Sequence, residues 1–112
     1  MIVCDAGEIA IVPFPFTDIA VSKPRPALAL SGHNANDIAG NTVFAMITTA
    51  ARSRWPSDVP LADLAHAGLT AGSVVRFKLF TLDNRLVART IGSLSRRDRR
   101  TVKKALSGIL GI

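Results

Sequence analysis

Residues Gly7 to Ser31, GEIAIVPFPFTDIAVSKPRPALALS, read as a strand, a polar loop and a second strand, and the remaining segments are placed around that pair. Ile9, Ile11 and Phe14 are apolar within a run of strand-forming residues, so Gly7 to Val12 is expected to be a half-buried strand. Pro13 and Pro15 end it, because proline has no N–H to give to a ladder. Thr17 to Lys23 forms the loop, and the apolar run Ala27 to Leu30 follows until Ser31-Gly32 stops it. A residue before a proline is pushed to extended geometry, so Lys23 and Arg25 are both extended. Two readings of Arg25 stay open from this stretch: a guanidinium placed for a purpose, and a solvated charge at a strand edge.

Working outward, His33 to Asn41 (HNANDIAGN) is a polar connector whose turn-formers are Asn36, Asp37 and Gly40. Thr42 to Thr49 (TVFAMITT) is a β-branched strand, apolar on both faces and therefore central. Ala50 to Asp58 is an exposed basic stretch carrying Arg52, Arg54 and Trp55. An aromatic ring between arginines suits single-stranded nucleic acid, held by stacking with charge alongside. The competing reading packs Trp55 against the end of the sheet. Asp58 to Leu61 is a short edge strand, and Ala62 to Gly72 a loop or single helical turn containing His66. Ser73 to Leu82 alternates, with Val75, Phe77 and Leu79 on one face and Val74, Arg76, Lys78 and Phe80 on the other. Asp83-Asn84 is expected to turn the chain so that Arg85 to Ile91 pairs back as a hairpin. Ser95 to Ile112 opens with an approximate capping box, Ser95 and Asp98. Val102, Ala105, Leu106, Ile109 and Leu110 then recur at helical spacing, with Arg96, Arg97, Arg99, Arg100, Lys103 and Lys104 on the polar face.

The 112 residues amount to one domain, 1–112, with 48% hydrophobic content, which argues for a folded chain. No apolar run approaches the ~20 residues of a membrane helix, and Asp5 and Glu8 break the pattern of a signal peptide. The expected compartment is the cytoplasm, with no membrane contact. Cys4 has no partner for an internal disulfide, and with His33 and His66 as the two histidines there is no metal-ligand spacing. No metal or other cofactor is expected. Fourteen Lys and Arg against eight Asp and Glu give a net charge of +6, and ten of the fourteen are arginines. The planar guanidinium donates two parallel hydrogen bonds to phosphate, so the balance fits a polyanionic partner, nucleic acid or an acidic polypeptide. Solubility alone would also account for the charge.

The order G-E-I, P-F-P-F-T-D and R-P-A-L-A-L-S, then Ala45 to Thr49, Ser73 to Asp83 and Ile91 to Ser95 before a terminal helix, resembles the MazF/PemK family of toxins. The resemblance spans nearly the whole chain. It implies a mainly β (α+β) fold, an SH3-like barrel of short antiparallel strands with a C-terminal helix, assembled as a homodimer. The pattern of the residues supports a mostly antiparallel sheet with a terminal helix. The resemblance further implies a type II toxin that cleaves single-stranded mRNA without metal through a 2′,3′-cyclic phosphate, and that a cognate acidic antitoxin neutralises.

That chemistry drives the ribose 2′-OH onto the adjacent phosphorus, which needs charge stabilisation on phosphate and two proton transfers. By resemblance, Arg25 matches the R-P arginine that neutralises the phosphate, Thr48 the threonine that donates its hydroxyl, and Arg76 a second phosphate ligand. Some relatives place an acidic residue two positions after that arginine, where this chain has Lys78. Arginine stays protonated and is a poor base, so Asp18 is the candidate general base. Arg52, Arg54, Trp55, Arg76 and Lys78 make up the expected RNA-binding set. Two other readings remain: a gyrase-directed toxin of the same fold, and an RNA-binding barrel without activity.

Overall fold

The computed structural model describes residues 1–14, 23–50 and 54–112. Six strands form one antiparallel sheet: β1 (Glu8–Pro13), β2 (Pro24–Ala29), β3 (Asn41–Thr49), β4 (Val59–Pro60), β5 (Ser73–Asp83) and β6 (Arg89–Ser93). Across the sheet the order is β4-β5-β3-β2-β1-β6. Two helices complete the fold, α1 (His33–Ala39) and the C-terminal α2 (Arg96–Leu110). This is the expected curled antiparallel sheet closed by a terminal helix. No helix among the described residues is long and apolar enough to cross a membrane.

The sheet is buried on both faces, as the apolar strands require. Ile9, Leu28, Ala45, Ile47, Val75 and Phe77 share one core cluster with Leu94 and Val102. Ala10, Val12, Phe14, Ala27, Phe44 and Phe80 form a second cluster on the opposite face, with Phe44 and Phe80 stacked at 5.6 Å between centroids. Alternation along the strands separates the two sets, because successive side chains point to opposite faces.

Three expectations are corrected. The connector His33–Asn41 contains the helix α1, in spite of its turn-forming residues. The Asn36 side chain is buried and donates to Cys4 O at 2.9 Å and Ser31 O at 3.0 Å, so it anchors the helix instead of exposing a turn. Gly40 ends that helix with φ +75°, the left-handed geometry that glycine adopts without a Cβ penalty. Arg85 to Ile91 does not fold back on β5. Asp83 caps a short 3-10 turn at Asn84–Leu86, and β6 pairs with β1, Glu8 with Ser93 and Ile11 with Arg89. The cause is Asn84, fully buried: its carbonyl oxygen accepts from Thr42 Oγ1 at 2.7 Å and its amide donates to Asn36 O at 2.8 Å. Those bonds hold the turn against α1 and β3 while Ala88 N reaches Ile11 O at 2.9 Å. The third correction is on α2. Val102 is buried and Ala105 and Leu106 pack beside it, whereas Ile109 and Leu110 are 45% and 48% exposed.

The capping residues of α2 work as a pair, with a tertiary addition. Ser95 Oγ accepts from Asp98 N at 3.2 Å. The Asp98 carboxylate, buried, accepts from Ala62 N and Asp63 N at 2.9 Å each, which pins the 62–72 loop to the helix start. The same loop docks on β6, where His66 Nδ1 lies 2.7 Å from Ser93 O. Gly92 lies so close to it that a Cβ there would meet Ala67 C at 2.4 Å.

Candidate active site

Arg25 is the exposed middle residue of Pro24-Arg25-Pro26, and β1 pairs with this segment residue by residue: Pro13 with Pro24, Val12 with Arg25, Ile11 with Pro26. The two prolines and a paired neighbour strand hold the backbone, so the Cα–Cβ bond of Arg25 leaves the sheet in a set direction. On its other side β2 pairs with β3 through Ala27 with Met46, Leu28 with Ala45 and Ala29 with Phe44. Pro26 has no N–H to extend that ladder. The register carried two residues further sets Arg25 level with Thr48, on one face of the sheet. Thr48 itself is half-buried and paired with Val74 of β5.

The next row along that face holds a charged pair. Met46 is opposite Arg76, two residues from the Thr48 row, or about 7 Å along the strand. β4 pairs Val59 with Val75 and Pro60 with Val74, so the register places Asp58 directly across from Arg76. The side chains meet there. Arg76 donates from Nη2 to Asp58 Oδ2 at 2.8 Å and from Nε to Asp58 Oδ1 at 3.1 Å, with both side chains some nine-tenths buried. The hydrogen bonds from Arg76 hold the Asp58 carboxyl below the usual carboxylate range, against the opposing effect of burial. The same pairing pushes the Arg76 guanidinium further up. Trp55 N also donates to Asp58 Oδ2, at 3.0 Å, and the Trp55 ring lies under the Arg76 guanidinium, 5.1 Å from Cζ to the ring centroid. Trp55 stays 40% exposed.

Of the residues singled out from the sequence, Arg25, Thr48 and Arg76 are thus gathered on one face. Arg54 is exposed beside Trp55, and Lys78 is exposed in the irregularity of β5 between Arg76 and Leu79. Asp18 and Arg52 lie outside the described residues. Arg76 differs from its expected role in one respect: its fork is directed at a carboxylate. Asp58 is the participant that the sequence reading missed. The available signal was its position one residue before the edge strand, level with Arg76 once β4 and β5 are paired. Cys4 takes no part; burial first, and then the charges of Glu8 and Asp5, push its thiol up to about 11.

A family model described as the PemK-like, MazF-like toxin of type II toxin-antitoxin systems matches residues 5–110. The chain belongs to that family. The structure is similar to MazF from Deinococcus radiodurans, with a TM-score of 0.76, 25% identity and 100% of both chains covered. It is also similar to the MazF toxin in a MazE-MazF crystal structure from the same organism, with a TM-score of 0.76, 26% identity, and 100% of this chain and 99% of that one covered. The Mycobacterium tuberculosis toxin MazF-mt6 aligns with a TM-score of 0.74 and 25% identity over 94% of this chain and 97% of its own. No protein among those with curated descriptions matches significantly. The half-barrel architecture of this MazF/PemK toxin is therefore that of the MazF structures, and the Arg25–Thr48 row lies on it.

Proposed function

We propose that this MazF/PemK toxin is an endoribonuclease that cuts single-stranded mRNA at the Arg25–Thr48 row. The reading is supported by the β2–β3 register, which, carried two residues past its last pair, brings an exposed arginine between prolines level with a strand-end hydroxyl. Cleavage by an adjacent 2′-OH builds negative charge on the nonbridging phosphoryl oxygens, and a guanidinium fork meets two of them at once. Thr48 donates its hydroxyl to the same oxygens and helps fix the phosphate in line. Asp18 takes the 2′-OH proton in this scheme, because Arg25 cannot act as a base. Arg52, Arg54, Trp55 and Lys78 extend the contact along the strand of RNA, and Arg76 supports it from beside Trp55. The P–O5′ bond breaks as the 2′ oxygen bonds to phosphorus, the departing 5′ oxygen takes a proton from solvent water, and the products are a 2′,3′-cyclic phosphate and a free 5′-hydroxyl.

The deciding experiment incubates the pure protein with a long single-stranded RNA in EDTA and maps the cut ends. Defined cuts ending in cyclic phosphate are expected, and Thr48→Val, which removes a hydroxyl at near-constant volume, slows them without unfolding the protein. Absence of cleavage together with inhibition of DNA gyrase would support the gyrase-directed reading instead. The MazE-MazF complex of the Deinococcus relative also supports a proposed antitoxin partner, with an acidic segment that folds onto the basic face of a homodimer. Co-expression of a cognate antitoxin should abolish cleavage; unchanged cleavage would remove the partner from the proposal.

A further inference from the structure

We propose that Asp58 is a positioning residue that fixes Trp55 as a stacking platform for the base next to the cleaved phosphate; this rests on the RNA-cleaving reading. One carboxylate does three things at once. It receives the Trp55 main-chain N–H at 3.0 Å, it receives two N–H groups of Arg76, and through Arg76 it holds a cation over one face of the Trp55 ring. Asp58 N donates in turn to Trp55 O at 3.0 Å, which closes the segment 55–58 into a tight turn. An indole on a surface loop would otherwise sample several rotamers and lose entropy on stacking. Here one face of the ring is covered by the guanidinium, while Trp55 keeps 40% of its surface in solvent.

The placement connects this platform to the proposed chemistry. The Asp58–Arg76 row neighbours the Arg25–Thr48 row, about 7 Å away along the strands, a distance similar to one nucleotide step. A phosphate bound between Arg25 and Thr48 therefore leaves its flanking base beside Trp55. Base–aromatic stacking is sequence-tolerant, since every base has a π face, so the platform contributes grip and register, and base choice rests with other contacts. The carboxylate that faces Arg76 comes from Asp58, one residue before β4.

The test uses the chain's own reporter. Trp55 is the single tryptophan and there is no tyrosine, so the intrinsic emission comes from this site. In Asp58→Asn, the Trp55 emission should move to longer wavelength and acrylamide should quench it more readily. KM for RNA should rise on the order of tenfold while kcat changes little, because a loosened stacking platform weakens binding and leaves Arg25 and Thr48 in place. Unchanged emission, quenching and KM in Asp58→Asn, alongside normal cleavage by the wild-type protein, would overturn the proposal and leave the nuclease reading standing. A wild-type protein that neither binds nor cleaves RNA would overturn both. If Asp58→Asn fails to fold, Asp58→Glu keeps the charge opposite Arg76 but lengthens the side chain by one methylene and disturbs the Trp55 N–H bond; red-shifted emission with a raised KM is expected, and unchanged emission, quenching and KM would overturn the proposal.

Discussion

Arg25 and Arg76 occupy neighbouring rows on one face of the same sheet and are held by opposite means. Arg25 is exposed, and its direction comes from the backbone: two prolines and a paired strand. Arg76 is buried, and its direction comes from a side chain, the Asp58 carboxylate across the β4–β5 pair. Among the described residues no hydrogen bond draws on the Arg25 guanidinium, so its donors face outward to a ligand. A carboxylate-fixed arginine has much of its electrostatic attraction already used within the fold, and acts on what lies beside it, the Trp55 ring. The net charge of +6 counts the two alike, although they differ in what they offer to an anion.

The contrast is broken most sharply by removing each arginine in turn. Arg25→Ala should lower single-turnover RNA cleavage by on the order of 10²–10³, the usual scale for one lost electrostatic donor. Its unfolding free energy should stay within about 0.5 kcal/mol of the wild type, as for other exposed positions. Arg25→Lys should recover little, since a point charge does not reproduce the fork. Normal cleavage by Arg25→Ala would place the chemistry elsewhere on the molecule.

Arg76→Ala should invert that pattern. Stranding the Asp58 carboxylate in a mostly buried site should cost about 3 kcal/mol in urea unfolding. A loss no larger than that of Arg25→Ala would mean the pair is solvated in solution, and the comparison would fail.

A smaller effect is expected from acid. The folded Asp58 carboxyl titrates below its ordinary range, so its stabilisation is complete above the unfolded value of about 3.9 and is lost as pH falls through the lower folded value. The thermal stability gap between wild type and Asp58→Asn should therefore be constant from neutral pH down to about 4 and narrow below it. A gap that stays constant to lower pH would remove the ion pair as its cause.

Much of the sheet was legible because period-two alternation is written locally. The strands around Ile9, Leu28, Phe44 and Val75 follow from their side chains, and Pro26 alone makes Arg25 extended. The Ser95–Asp98 cap and the Val102–Leu106 stripe mark the last helix for the same reason. Polar residues that settle between elements misled. Asn36 and Asn84 have turn-forming side chains, and each is instead buried in hydrogen bonds to partners five to 48 residues away. Position 84 sent β6 to β1 instead of β5, and no local pattern records that choice.

By itself, then, the sequence determined which segments are strands, that Arg25 is conformationally fixed, and that the surface is basic, because propensity, proline geometry and charge belong to single residues and their immediate neighbours. The tertiary structure decided which strands meet. It thereby set Arg25 level with Thr48, brought Asp58 across from Arg76 and laid the Arg76 guanidinium over the Trp55 ring. Those are relations of register between residues 18 to 23 positions apart, and register follows from burying two apolar faces and satisfying every buried polar group at once.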